Sequence, residues 1–225
     1  MTARITTVIP TALVLLAVAG CGSNVTLDPP TIPAPLINSI PLHVAVRIPA
    51  EFESYVHQEE VVLGGEEWSI DLGRSNAIFF TELFSYMFDE VTVLKPEDDE
   101  SQYEFDALIE PGIDAMEFSV PNQTNTESFA VWIRYRVKVF DPEGRMIGNW
   151  PFSSYGKSLT TTMGGSEALQ RAAVLAMRDA AALMIIRFKP QEFMRALAAG
   201  GEVAAQEDAS GNDAVQATVV QGANK

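Results

Sequence analysis

The spacing of apolar residues along this chain changes period several times, and each change predicts an element. Leu42 to Ile48 alternates apolar and polar positions, which predicts a strand closed by Pro49. Residues 50–73 hold no single period. Within them Trp68, Ile70 and Leu72 alternate with Ser69 and Asp71, which predicts a short strand after the Gly64-Gly65 turn. Ser75 stands where a helix cap belongs. Ile78, Phe79, Phe80, Leu83, Phe84, Met87 and Phe88 then recur at the three-to-four residue spacing of one buried helix face. Glu90 to Leu94 returns to a strand, and the acidic run Pro96 to Glu100 reads as an exposed turn.

Residues 105–120 predict a strand interrupted by Pro111-Gly112, the mark of a bulge or an edge. The longest alternation runs from Phe129 to Phe140. Phe129, Val131, Ile133, Tyr135, Val137 and Val139 share one face, and Trp132, Arg134, Arg136 and Lys138 share the other. Asp141-Pro142-Glu143-Gly144 predicts a turn, with Arg145 to Tyr155 as the returning strand. A loop of that length would set Tyr135 opposite Trp150 and Ile133 opposite Phe152. Gly164-Gly165 and a capping Ser166 lead into an Ala-rich helix stopped by Lys189-Pro190, with a short amphipathic turn over 191–197. Together these elements predict an α+β domain over residues 42–199. Its single mixed or antiparallel sheet carries two helices packed on one face, and the other face stays wet or meets a partner. Residues 200–225 hold no large apolar residue except scattered valines and read as a disordered tail.

The first twenty residues follow a different logic. Arg4 is followed by an apolar run from Val8 to Ala19, too short to cross a membrane as a helix. A basic start, a short apolar core and small residues before Cys21 predict a signal peptide over 1–20. Val18-Ala19-Gly20-Cys21 resembles the lipobox of bacterial lipoproteins, which implies acylation of Cys21 and anchoring of the chain to a membrane through its N-terminal lipid. Gly22 in the following position is similar to the outer-membrane class. The expected place is therefore the periplasmic side of the outer membrane, with inner-membrane anchoring as the alternative. Residues 21–41, with Pro29, Pro30, Pro33, Pro35 and Pro41, read as an extended linker behind the lipidated cysteine.

Charge and cysteine usage narrow the function. The chain carries 15 basic and 30 acidic residues, and loss of Arg4 with the leader leaves 14 against 30, a formal charge of −16. Such a surface repels nucleic acid (DNA and RNA) and anionic lipid head groups. Cys21 is the sole cysteine, so no disulfide can form within the chain and the core alone must hold the domain.

The order of lipobox, Pro-rich spacer, strand–helix–strand, a hairpin at Phe140-Asp141-Pro142-Glu143-Gly144-Arg145 and an Ala-rich final helix with Ala172 to Ala182 resembles uncharacterised proteobacterial envelope lipoproteins. The layout is similar to the YajG-like lipoproteins and more loosely to the lipopolysaccharide-assembly lipoprotein. The likeness spans about residues 42–190, is one of order and pattern, and has the lipobox as its specific motif.

The residues themselves argue against catalysis. His43 and His57 lie in no catalytic motif, and a nucleophile needs a base beside it. Met163-Gly164-Gly165-Ser166 lacks the spacing and lysine of a phosphate loop. The acidic runs Glu59-Glu60, Glu66-Glu67 and Glu97 to Glu100 lack the alternation of a calcium loop. No catalytic residue, metal ligand or cofactor is therefore expected. Trp132, Arg134, Arg136 and Lys138 form the candidate partner-binding stripe, cations on one strand face of an acidic chain. The expected function is a binding or assembly factor for another envelope component. The alternative is a carrier holding a lipid or glycan between sheet and helices, lined by the phenylalanines of 78–88.

Overall fold

The computed structural model describes residues 22–61, 66–121, 126–160 and 164–199. The expected signal peptide over 1–20, Cys21, the expected Gly64-Gly65 turn and the expected tail over 200–225 lie outside them. The described residues form an α+β fold with two sheets. A five-stranded sheet contains β2 (Ile40–Arg47), β5 (Phe88–Leu94), β6 (Ala107–Ser119), β7 (Ser128–Phe140) and β8 (Met146–Leu159) in the order β5-β2-β6-β7-β8. β2 lies parallel to both β5 and β6, and β6, β7 and β8 run antiparallel. The second sheet is small, ordered β1-β4-β3 from β1 (Gly22–Thr26), β3 (Val56–Val61) and β4 (Glu66–Asp71). One sheet was expected. The second exists because the segment without a period forms a hairpin, and the segment read as a linker supplies its third strand.

The helices among the described residues include α1 (Ala50–Glu53), α2 (Gly73–Met87), α3 (Gly165–Arg187) and α4 (Pro190–Ala199). α2 and α3 pack on the face of the large sheet formed by Phe129, Val131, Ile133, Tyr135, Val137 and Val139, all of which are buried. Phe79, Phe80, Leu83, Phe84 and Met87 fill the layer between, whereas Ile78, expected on the same helix face, is 45% exposed. α3 lies close on β8: a β-carbon on Gly156 would stand 2.0 Å from the Ala172 carbonyl oxygen and 2.4 Å from the Ala176 nitrogen. The run of Ala172, Ala173, Ala176 and Ala180, each fully buried, makes that approach possible. Pro190 opens α4 directly after Lys189. The fixed φ of a proline suits the first turn of a helix and cannot continue the preceding one.

Both helix starts differ from the sequence expectation. α2 begins at Gly73, whose N–H donates to Asp71 Oδ1 at 3.3 Å, and a side chain at that residue would meet the Glu53 carbonyl oxygen at 2.1 Å. Ser75 is inside the helix, buried, and donates from Oγ to the Leu27 carbonyl. α3 begins at Gly165 behind Gly164, whose φ of 112° favours glycine over Ser166 as the boundary.

The β7–β8 register also moved. Tyr135 faces Phe152, Ile133 faces Ser154 and Val137 faces Trp150, two residues from the expected pairing. One residue comes from the turn, in which the Asp141 N–H donates to the Arg145 carbonyl and Phe140 pairs with Met146. The other comes from a bulge between Val139 and Phe140. Two single shifts sum to an even number, so every predicted inner residue stays inside. The bulge expected at Pro111-Gly112 falls beside them, between Ile113 and Ala115.

The Pro-rich linker is a further correction. Gly22–Thr26 pairs in parallel with Glu67–Asp71, and Val25, Leu27, Ile32 and Ile40 are buried in the main core. Prolines make a chain extended, and four well-spaced apolar side chains let that extended chain pack as a layer of the domain.

Candidate functional site

The face of the large sheet turned away from α2 and α3 carries the candidate stripe. Trp132, Arg134, Arg136 and Lys138 alternate along β7, opposite Tyr155, Ser153, Pro151 and Asn149 of β8 and Glu117, Ala115, Gly112 and Glu110 of β6. The sequence expectation that these four residues share one face is met in β7, yet they do not act as one unit.

Arg136 is engaged. Its guanidinium donates to Asp114 at 2.6 and 3.0 Å and to the side-chain oxygen of Asn149 at 3.1 Å. The fork matches the carboxylate geometry and ties β6 to β7 across the bulge. Hydrogen bonding to Asp114 pushes the Arg136 pKa further above its ordinary value. Beside it lies an open groove of about 300 Å³, lined by Pro49, Phe52, Tyr55, Pro111, Gly112 and Ile113 together with Glu110, Asp114, Arg136 and Lys138. Burial pushes the Tyr55 hydroxyl pKa up. Arg47 takes Glu110 and Glu100 at 3.4 and 2.7 Å, which leaves Lys138 exposed without an ion pair among the described residues. A small second core of Ala45, Leu94 and Leu108, with Phe105 and Phe140 against it, covers this outer face at the end nearest the Asp141 turn.

The opposite end of the stripe is open. Trp132 and Tyr155 are 42% and 43% exposed, their ring centroids 5.1 Å apart and tilted by 45°. The pair is brought close because the Tyr155 N–H points off the sheet edge, where it donates to Asp179 Oδ2 at 3.0 Å. Tyr155 and Trp132 are thus a non-hydrogen-bonded pair, the class with the closer side chains. Arg134 and Lys157 flank the two rings, exposed and without ion pairs among the described residues. Tyr155 and Lys157 are the members of this patch that periodicity missed. The expected register ended the strand at Tyr155, and β8 continues to Leu159.

The remaining chemical candidates are accounted for by packing. His43 Nε2 lies 2.8 Å from Thr92 Oγ1, and His57 sits 3.1 Å from Glu59 with its ring edge-on to Phe118. Asp98 and Asp99 accept backbone N–H groups of Lys95 and Ser101 in the turn before β6. Among the described residues no group of three or more His, Cys, Asp and Glu side chains comes together to hold a metal ion. None of the helices among the described residues is long and apolar enough to cross a membrane.

No family model and no curated protein sequence matches the chain. Among solved structures, the chain is similar to a neuraminyllactose-binding hemagglutinin homologue from Helicobacter pylori, at 12% identity and a TM-score of 0.42 over 74% of this chain and 95% of that one. It is similar to the hypothetical protein CT253 from Chlamydia trachomatis, at 10% identity and a TM-score of 0.38 over 64% and 94%. Lipoprotein GNA1162 from Neisseria meningitidis matches at 10% identity and a TM-score of 0.33 over 64% and 97%. At these scores no residue role passes from those proteins to this one.

Proposed function

We propose that this chain is an outer-membrane-anchored periplasmic lipoprotein, held through Cys21, that acts without catalysis as a binding or assembly factor for another envelope component. The observation that carries the binding role is the Trp132–Tyr155 pair with Arg134 and Lys157 beside it, on the sheet face that the helices leave uncovered. Exposed Trp, Tyr and Arg are the residues that anchor interfaces, and cations without an ion pair among the described residues, on a chain of net charge −15, select an acidic partner surface. Arg136 acts here as a tie within the sheet and Lys138 lines the groove beside it, so contact is centred on Trp132 and Arg134.

The carrier alternative draws less support from the packing. Phe79, Phe80 and Phe84 are buried and touch ring to ring, with centroids 5.2 and 5.8 Å apart, and Phe80 meets Tyr135 at 5.2 Å. The layer that would hold a lipid is filled by its own side chains.

The test is a photo-crosslinking residue at Arg134 of the full-length protein in living cells, with a second at Leu175 on the outer side of α3 as control. One discrete adduct from position 134, absent from position 175 and lost in Trp132→Ala, is the expected result. No adduct from position 134 in correctly localised protein removes the docking face.

A further inference from the structure

The segment that follows Cys21 leads directly into the folded domain. Gly22 pairs with Glu67 and Ser23 with Trp68, the first steps of a five-residue parallel ladder. Core burial and two helices hold the same segment. Val25 and Leu27 are buried in the main core, the Leu27 carbonyl accepts from Ser75 of α2, and the Thr26 carbonyl accepts from Gln170 Nε2 of α3 at 3.2 Å. A free polyproline-like spacer of the same twenty residues would reach about 60 Å at about 3.1 Å per residue. Instead the residue that follows the cysteine in the sequence is already the first of a strand.

The end of the domain at which this happens is well defined. The Trp68 ring meets Phe118 at the end of β6 and Phe129 at the start of β7, at 6.1 and 5.9 Å. A β-carbon on Gly165, the first residue of α3, would touch both Phe129 and Trp68, at 3.0 and 3.3 Å. Leu159, at the end of β8 opposite Ser128, is 67% exposed. The starts of β1, β7 and α3 and the ends of β6 and β8 therefore share one end. The Asp141 turn lies at the other, about 40 Å away along β7 at about 3.3 Å per residue.

We infer that β1 seats the domain on the phospholipid head-group layer, with the Trp68 end down and no spacer between lipid and fold. This rests on the anchoring of Cys21 proposed above and not on the partner-binding role. The acyl chains hold Cys21 at the boundary between head groups and hydrocarbon, and the β1 ladder holds the domain to Cys21. Glu67 pairs with Gly22 of β1, Glu60 faces Glu67 from β3, and Lys157 lies near the same end of the large sheet, so this end has mixed charge. Seating by the covalent tether is accordingly insensitive to salt, unlike attraction to an anionic surface. Trp132 is three residues along β7 from Phe129, about 10 Å further from the membrane. The partner that meets it is one lying at the same membrane surface.

Cys21 is the only natural thiol, and acylation blocks its sulfur, so a single introduced cysteine can be labelled selectively. Leu159→Cys and Glu143→Cys, each labelled with a donor dye, are prepared in the full-length lipidated protein. Each is reconstituted into phosphatidylethanolamine–phosphatidylglycerol vesicles containing a head-group-linked acceptor. Energy transfer at position 159 is expected to exceed that at position 143 at least fivefold, at low and high salt alike. Val25→Asp puts a carboxylate into the core beneath β1, and should release the strand and bring the two positions to the same low transfer. Equal transfer from both positions in the acylated protein without Val25→Asp overturns the seating and leaves the anchoring intact. Mass spectrometry showing an unmodified Cys21 overturns both.

Discussion

The two faces of β7 are made from alternate residues of one strand, yet they obey different physics. On the inner face Phe129, Val131, Ile133, Tyr135, Val137 and Val139 are at most 4% exposed. Their one polar group, the Tyr135 hydroxyl, donates to Asn76 Oδ1 at 2.7 Å. Burial also raises the Tyr135 pKa far above its ordinary value, so that hydroxyl stays protonated. On the outer face water does the satisfying, and side chains are free to pair, as Arg136 does, or to stand open, as Arg134 does. Water exclusion dictates which residue types the inner face can hold. The outer face is constrained only by cross-strand neighbours, and can carry recognition without cost to the core.

Substitutions on the two faces should separate these roles. The largest loss is expected from Phe80→Ala, which empties a site walled by Phe52, Phe79, Phe84 and Tyr135. Urea unfolding should show about 4 kcal/mol of destabilisation with partner capture intact in the remaining folded protein. Next is Gly156→Ala, whose added methyl would collide with the α3 backbone and should cost about 3 kcal/mol in the same assay. A change below about 0.5 kcal/mol would show that α3 lifts off β8 freely. Tyr135→Phe keeps the ring and strands Asn76 Oδ1 without its donor. About 2 kcal/mol is expected, and a neutral result would mean that the amide finds another partner. The smallest stability effect belongs to the outer face. Trp132→Ala breaks the pair with Tyr155 and should cost about 1 kcal/mol or less in unfolding, while abolishing the adduct from position 134. If Trp132→Ala instead unfolds the protein as Phe80→Ala does, the contrast between the faces fails.

Much of the fold was legible because its signals are local. The period-two alternation of Phe129 to Phe140 and the helical spacing of Phe79, Phe80, Leu83 and Phe84 each report one buried face, and both are buried as read. Positions where geometry between elements decides were not legible. Ser75 has the chemistry of a cap, but Gly73 starts α2 because only glycine fits against the Glu53 carbonyl. The stripe was legible as a row of cations. Its division was not, because Asp114 comes within reach of Arg136 only through a pairing across strands 22 residues apart. Tyr155 entered the candidate site through the register, which depended on the length of a turn and one bulge.

The sequence by itself determined the strongly periodic elements β7, α2 and α3, and with them the inner face of the large sheet. It also placed Cys21 behind a short apolar run. Those are properties of neighbours in the chain, where period and burial are linked directly. Tertiary structure decided that residues 22–32 are a pinned layer of the domain, that β8 runs two residues out of the expected register, and that one cation of the stripe is held while its neighbours have no ion pair among the described residues. Each depends on pairing between segments far apart in sequence, where a single ladder partner or one inserted residue changes the outcome and leaves the local pattern unaltered.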